Sequence, residues 1–424
     1  MKHYFIDNVI LSPAGPFVIA SEPRWRAWQS SFLFCKYLHV FSNPAEALST
    51  PSKGVSSSLF RLRKDFVQLI FFFIFCSLLF SPLSFAQSPQ TLKLKLFSGQ
   101  ELKEVYIMTE GACCFEILSF EAGQLFWKKK PVQGPLTFVG LTKIRHPEAG
   151  QKNVVGKTTI QVVRNGFAIQ AEVGLENYVQ SVLASELPAD TPLEALKAVS
   201  IAIRTYAIRF QDRHEAQGFD LCDLTHCQVY GALVRDPIYR RATQATQHKI
   251  LTYQGEPAVT LYHSVCGGMT SPNQAVFSGK PLPYLQGVDD QGACSQAENF
   301  QWQRDVYPRE IQKLQALGIH FEKLKIAQGS NKGRIYSFYQ EDKNHQEWLA
   351  SELLSLIGKN LGWALFKSTW FKWEFKGDHL MLEGKGFGHG VGLCEAGASH
   401  FAKRGWNYEK ILQFYYPGTQ LLKR

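Results

Sequence analysis

Phe66 to Phe80 is an almost uninterrupted apolar run of 15 residues, preceded by Arg61-Leu62-Arg63-Lys64 and followed by Ser81-Pro82-Leu83-Ser84-Phe85-Ala86. A basic flank, an apolar core and small residues at Ser84 and Ala86 form the pattern of a secretory signal cleaved after Ala86. The run is short for a membrane span of about 20 residues, which favours cleavage, with a tether through residues 66–80 as the alternative. The folded protein is therefore expected to be residues 87–424, exported to the periplasm or cell envelope. Residues 1–60 show no steady apolar period. Translation is expected to start near residues 55–60, leaving the preceding stretch as an artefactual or disordered extension.

The exported part has the composition of a globular protein. Over the whole chain 45% of residues are apolar and 19% charged, which excludes a mainly disordered chain, a collagen and a multi-span membrane protein. The formal charge of +10 comes with no zinc finger, basic helix or phosphate-binding glycine loop, so nucleic acid is not an expected partner. A basic exported protein suits an acidic polymer or an envelope surface.

Alternation of apolar and polar residues marks strands at 92–96, 104–107, 115–118 and 160–163, with turns at Ser98-Gly99 and Asn165-Gly166. Helical spacing takes over at Glu176–Leu187, which Pro188 stops. Thr191-Pro192-Leu193-Glu194 reads as a capping box opening a second, alanine-rich helix that runs to about Phe210. Strands are expected over 248–290, a mixed segment over 295–375, and packing helices over Ala396–Lys403 and Trp406–Phe414. The chain thus reads as α+β, with an antiparallel β-rich part over 87–165 and a mixed helix/sheet domain over 166–424.

Two sulfurs and two imidazoles, His214, Cys222, His226 and Cys227, fall within fourteen residues and offer a tetrahedral zinc set. A Cys222–Cys227 disulfide is the competing reading in an oxidising compartment. Cys113-Cys114 reads as packing or as one end of a disulfide, and Cys266, Cys294 and Cys394 have room for one bridge among them. Gly384 to Gly392 alternates glycine with Lys385, Phe387, His389 and Val391. It lacks the strand, turn and downstream acid of a dinucleotide fingerprint, so no organic cofactor is expected. Such glycine density lets backbone pass close to another chain or to a sugar.

Several of these segments together resemble the SpoIID/LytB domain family. They are Val173 to Pro188, Glu194 to Ala198, Ala202 to Ala207, Cys227-Gln228-Val229-Tyr230-Gly231, Tyr262 to Gly268, Pro283-Tyr284-Leu285, Gly384 to Leu393 and Phe414 to Gly418, in family order. The resemblance implies a SpoIID-type catalytic domain acting on peptidoglycan in sporulation or cell division. The implied activity is that of a lytic transglycosylase cutting glycan strands stripped of their stem peptides, or that of a non-catalytic amidase enhancer partnered with a cell-wall amidase. The family's catalytic acid falls on Glu186, and a family arginine needed for activity on Arg204. Tyr284 matches another active-site position, with Tyr262, His263 and His389 as further substrate-binding candidates. Some members hold zinc in the Cys/His loop, with a structural role if all four ligands come from the protein.

The residues give an independent reading of Glu186. In the last turn of its helix it faces unpaired carbonyls, which disfavour added negative charge and favour the protonated acid. Such an acid can protonate a glycosidic oxygen. Ordinary glycosidases need two carboxylates. A lytic transglycosylase uses one, and no second carboxylate stands out in these blocks.

Overall fold

A computed structural model describes residues 91–232, 234–341 and 347–424; the signal, the tether and the extension expected before Gln87 lie outside the described residues. Among the described residues no helix is long and apolar enough to cross a membrane.

Alternation builds the first layer. In β1 (Thr91–Leu96), Leu92, Leu94 and Leu96 are buried and the residues between them point away. In β8 (Gly166–Gly174), Phe167, Ile169, Ala171 and Val173 do the same. The two strands pair antiparallel with Leu92 opposite Val173, Leu94 opposite Ala171 and Leu96 opposite Ile169, so both apolar faces point to one side. Each buried leucine contributes about 2 kcal/mol of transfer free energy, which fixes the register.

Seven more strands extend this sheet: β2 (Glu104–Thr109), β3 (Glu116–Glu121), β4 (Gln124–Trp127), β5 (Lys130–Val132), β6 (Leu136–His146), β7 (Gly150–Val163) and β9 (Leu221–Cys222). The order is β5-β4-β3-β2-β6-β7-β8-β1-β9. All neighbours are antiparallel except β1 and β9. The boundary expected at 165/166 falls at the β7–β8 turn, where Val163 pairs with Gly166 across Arg164-Asn165. The β-rich part and the following domain therefore share one sheet, and the turn lies one residue earlier than Asn165-Gly166. Cys113 and Cys114 are exposed with their sulfurs 3.4 Å apart, so they neither pack in a core nor bridge to a distant partner.

Against the sheet lies α1 (Leu175–Glu186), and α2 (Leu193–Arg209) packs on α1. Nearly every residue of α2 from Ala195 to Ala207 is buried, and its small side chains admit neighbours on all sides. Those neighbours are α1, α3 (Pro237–Ala245), and two C-terminal helices (395–403 and 408–415). The expected capping box does not form. Pro192, extended at ψ 136°, is itself the N-cap, and no side chain caps the helix. Glu194 instead accepts from the Tyr408 backbone N–H at 2.9 Å and from Lys197 Nζ at 2.6 Å.

The 248–290 segment holds fewer strands than expected: β10 (Lys249–Tyr253), β11 (Glu256–Pro257) and β12 (Tyr262–His263), then loops and a single helical turn. A second core around Phe338, Leu353 and Leu382 fills the mixed segment. Its elements are β13 (Gln301–Val306), α4 (Pro308–Ala316), β14 (Leu324–Gly329), β15 (Ile335–Gln340), β16 (Glu347–Leu349), α5 (Ala350–Leu361), β17 (Phe371–Lys376) and β18 (His379–Lys385). The chain then returns through β19 (Leu393–Cys394), α6 (Glu395–Lys403), α7 (Tyr408–Tyr415) and β20 (Gln420–Lys423). β19 pairs in parallel with β12, Tyr262 opposite Leu393 and His263 opposite Cys394.

Candidate active site

Glu186 is the last residue of α1. Leu187, extended, closes the helix by donating its N–H to the Leu183 carbonyl at 3.0 Å, and Pro188 follows. The carboxyl is half-buried, and burial pushes its pKa up to about 7. Loss of water, rather than the helix end, dominates.

The groups facing it come from the β12–β19 pairing. Tyr262 lies on β12, and the residue after β19 is Glu395, the first of α6. Glu395 is 4% exposed, and its Oε1 has no hydrogen-bond partner. Burial first, then the charge of Glu186, hold its carboxyl well above the usual range. The Tyr262 hydroxyl is raised by burial and by the same two carboxylates. Gln228 fixes that hydroxyl, donating from Nε2 at 3.0 Å, while its own Oε1 accepts from Tyr178 Oη on α1 at 3.0 Å. A second carboxylate therefore stands beside Glu186, contrary to the expectation of a lone one. An acid in the first turn of a helix reads in sequence as a favourable helix-end charge, which conceals such a contact. Gln228 lies within a family-like block, yet nothing in its type distinguishes it from a surface glutamine.

The other predicted residues have different duties. Arg204 is 1% exposed and forms a bidentate pair with Glu176, Nε to Oε1 at 2.8 Å and Nη2 to Oε2 at 2.6 Å. Further bonds go to the Lys249 and Thr243 carbonyls. Glu176 lies ten residues before Glu186 on the same helix, about 15 Å along its axis. Arg204 is thus committed at the far end of α1, where it ties α1, α2, α3 and β10 together. Tyr284 is buried, with its hydroxyl accepting from the Val259 N–H at 3.0 Å.

His263 donates from Nδ1 to the Val391 carbonyl at 3.1 Å, and burial lowers its pKa to about 3, so it is neutral. His389 accepts from the Val391 N–H at 3.1 Å and meets the Tyr262 backbone; burial also lowers its pKa to about 3. Both histidines hold the glycine-rich block against β12. That block approaches its own chain: a Cβ on Gly392 would lie 2.0 Å from the Leu261 carbonyl oxygen, at φ +75°. Two surface cavities, of about 430 and 640 Å³, lie in the 301–385 region, and Glu186 lines neither.

His214, Cys222, His226 and Cys227 do converge, with all ligand atoms within 4.8 Å of one another. Cys227 Sγ is 3.5 Å from His214 Nε2 and 3.6 Å from His226 Nδ1, and Cys222 Sγ is 3.7 Å from His226 Nδ1. A tetrahedron built on zinc–sulfur and zinc–nitrogen bonds has S···N edges of about 3.6 Å. Hydrogen bonds from Cys227 and His226 draw the Cys222 thiol towards thiolate. Arg213 Nη2, 3.3 Å from His226 Nε2, is the contact that would turn aside if that nitrogen carried its proton.

A profile of the SpoIID family, described as stage II sporulation protein, matches residues 163–253. Stage II sporulation protein D of Bacillus subtilis (strain 168) is 30% identical over 283 residues, covering 62% of this chain and 78% of that protein. An uncharacterized protein of Brachyspira hyodysenteriae (strain ATCC 49526 / WA1) is 31% identical over 259 residues, 59% of this chain and 67% of that one. The amidase enhancer of B. subtilis is 26% identical over 288 residues, 57% of this chain but 40% of its own length. With the block order, the helix that ends on Glu186 and these matches together, the chain belongs to the SpoIID family.

Proposed function

We propose that this exported protein works on the bacterial cell wall as a peptidoglycan lytic transglycosylase, with Glu186 as its acid and base. The observation that carries the reading is a half-buried carboxyl, raised to about 7, beside a second carboxylate that is buried. At pH 7 about half of Glu186 is protonated, against about 0.3% for a carboxyl at 4.5. A proton is therefore available for the oxygen of the glycosidic bond. The resulting carboxylate then takes the proton of the muramyl C6 hydroxyl as that oxygen closes the 1,6-anhydro ring. Glu395, at 4% exposure, has no face for a sugar, and burial with the charge of Glu186 holds it protonated. One accessible carboxylate suits ring closure better than two-carboxylate hydrolysis. Tyr262 stands next to the reacting carboxyl and is proposed to contact the sugar. Arg204, Tyr284, His263 and His389 position the elements around it.

The Cys/His cluster is proposed to hold zinc through His214, Cys222, His226 and Cys227. Four protein ligands fill the tetrahedron, so the metal would tie the 214–227 loop to β9.

Incubating the protein with peptide-free glycan strands should release anhydro-muramyl ends, read by mass spectrometry, and Glu186→Gln should abolish them with the fold intact. Reducing ends, or undiminished cleavage by Glu186→Gln, would reject the mechanism. The likeness to an amidase enhancer supports a second reading, in which the protein binds glycan and stimulates a cell-wall amidase. That reading requires stimulation to survive Glu186→Gln.

A further inference from the structure

Three cysteines left over by the site described above meet far from their positions in the sequence. Cys266 follows β12, Cys294 lies in the loop before β13, and Cys394 ends β19. With Asp290 they form a fully buried group whose ligand atoms all lie within 4.8 Å of one another. Cys266 Sγ is 3.4 Å from Cys294 Sγ and 3.0 Å from Asp290 Oδ2.

The surroundings are built for thiolates. The Gly268 N–H donates to Cys266 Sγ at 3.3 Å, and Cys394 Sγ accepts from the Cys266 N–H at 3.3 Å and the Gly397 N–H at 3.4 Å. Cys394 is the N-cap of α6, where the helix end favours negative sulfur. Asp290 is held by the N–H groups of Gly292 and Cys294 at 3.0 and 3.1 Å.

A second observation is independent of these bonds. Arg334 is 2% exposed. Its Nη2 donates to the Cys266 carbonyl at 2.6 Å, while its Nη1 is buried with no partner. A buried guanidinium needs a nearby negative charge. The guanidinium lies 5.4 Å from the Trp370 ring, and the ionisable groups acting on it are Cys266, Tyr336, Cys394 and Cys294, of which the three sulfurs supply charge as thiolates. Three thiolates, one carboxylate and one dication carry a net charge of about −2, which Arg334 partly offsets.

We infer that Cys266, Asp290, Cys294 and Cys394 form a second metal centre, taking a divalent ion of the zinc class. Three soft sulfur donors and one oxygen, gathered within 4.8 Å of one another, select such an ion. A Cys266–Cys294 disulfide fits less well, because it removes the Cys266 thiol that meets Asp290 Oδ2 at 3.0 Å and leaves that buried carboxyl oxygen facing a bridged sulfur. The centre joins the loop after β12, the loop at 290–294 and the start of α6. It thereby fixes Glu395, the residue after Cys394, beside Glu186.

The test is metal analysis of the full chain, purified without a histidine tag or chelator, which does not depend on any glycan activity. The Cys222→Ser/Cys227→Ser variant, lacking the first cluster, should retain about one equivalent of metal per chain. Adding Cys294→Ser should remove it, as should Asp290→Asn at raised chelator concentration if the cysteine variant fails to fold. Cobalt loaded into the Cys222→Ser/Cys227→Ser variant should show thiolate charge-transfer and tetrahedral d–d bands. A metal-free Cys222→Ser/Cys227→Ser variant that also takes up no cobalt would overturn the proposal. So would a disulfide linking Cys266 to Cys294 in its peptide map.

Discussion

Glu186→Gln should make the protein more stable at high pH while it removes the proposed chemistry. Burial lifts the carboxyl from the ordinary 4.5 to about 7. At about 1.4 kcal/mol per tenfold, that difference amounts to about 3 kcal/mol. The sign follows from proton counting. Below about pH 4.5 the native and unfolded chains both hold the proton, and the group contributes nothing. Between about 4.5 and 7 the unfolded chain ionises first, so the native state loses stability as pH rises. Above about pH 7 the full penalty applies. Glutamine never ionises, so the variant escapes it. Urea unfolding of both proteins at about pH 5 and about pH 8 isolates this residue, because most other titrations cancel in the difference. The expected result is a gain for the variant of under about 1 kcal/mol at the lower pH and of up to about 3 kcal/mol at the higher. Part of the gain would come through Glu395, which no longer faces a charge on Glu186. A pH-independent difference would refute the reasoning, since it would mean that Glu186 ionises as easily in the fold as in water.

Arg204→Met should lower stability by about 3 kcal/mol, because it strands Glu176 and frees the Lys249 and Thr243 carbonyls. Adding Glu176→Met should restore part of that loss in thermal unfolding, and no recovery would count against a pairwise interaction. Tyr284→Phe should cost about 1–2 kcal/mol by leaving the Val259 N–H unpaired, without moving the pH profile of glycan cleavage. Gly390→Ala should destabilise by more than about 2 kcal/mol, since its Cβ would lie 2.6 Å from Arg334 Cζ at φ +78°. Gly123→Ala, at φ +83° with no atom within 4 Å, should lose only about 1 kcal/mol in the same urea titration.

Local signals led to the right elements where the pattern was local. The alternation at 92–96 and the helical spacing before Pro188 match β1 and α1 closely. The capping box at Thr191 misled because Pro192 suits both the N-cap and the first helical turn, and its ψ is settled by how the chain enters from Pro188. Arg204 was not legible for a different reason. An arginine among apolar residues reads equally as a cleft-facing or a buried group, and only the partner distinguishes them. Glu176, one helix away in sequence and hydrogen-bonded in space, is that partner.

From the residues alone came the strands at 92–96, 104–107 and 115–118, the two helices on either side of Pro188, the ligand types gathered in the 214–227 loop, and the carboxylate at the end of a helix. Those properties depend on neighbours within one or two turns of chain. Which groups are deprived of water depends on contacts between segments more than a hundred residues apart. Hence the pairing of β12 with β19, the burial of Glu395 behind Glu186 and the meeting of Cys266, Cys294 and Cys394 emerged only from the tertiary structure. Desolvation is a property of the packed whole, and it sets the charge of each of these groups.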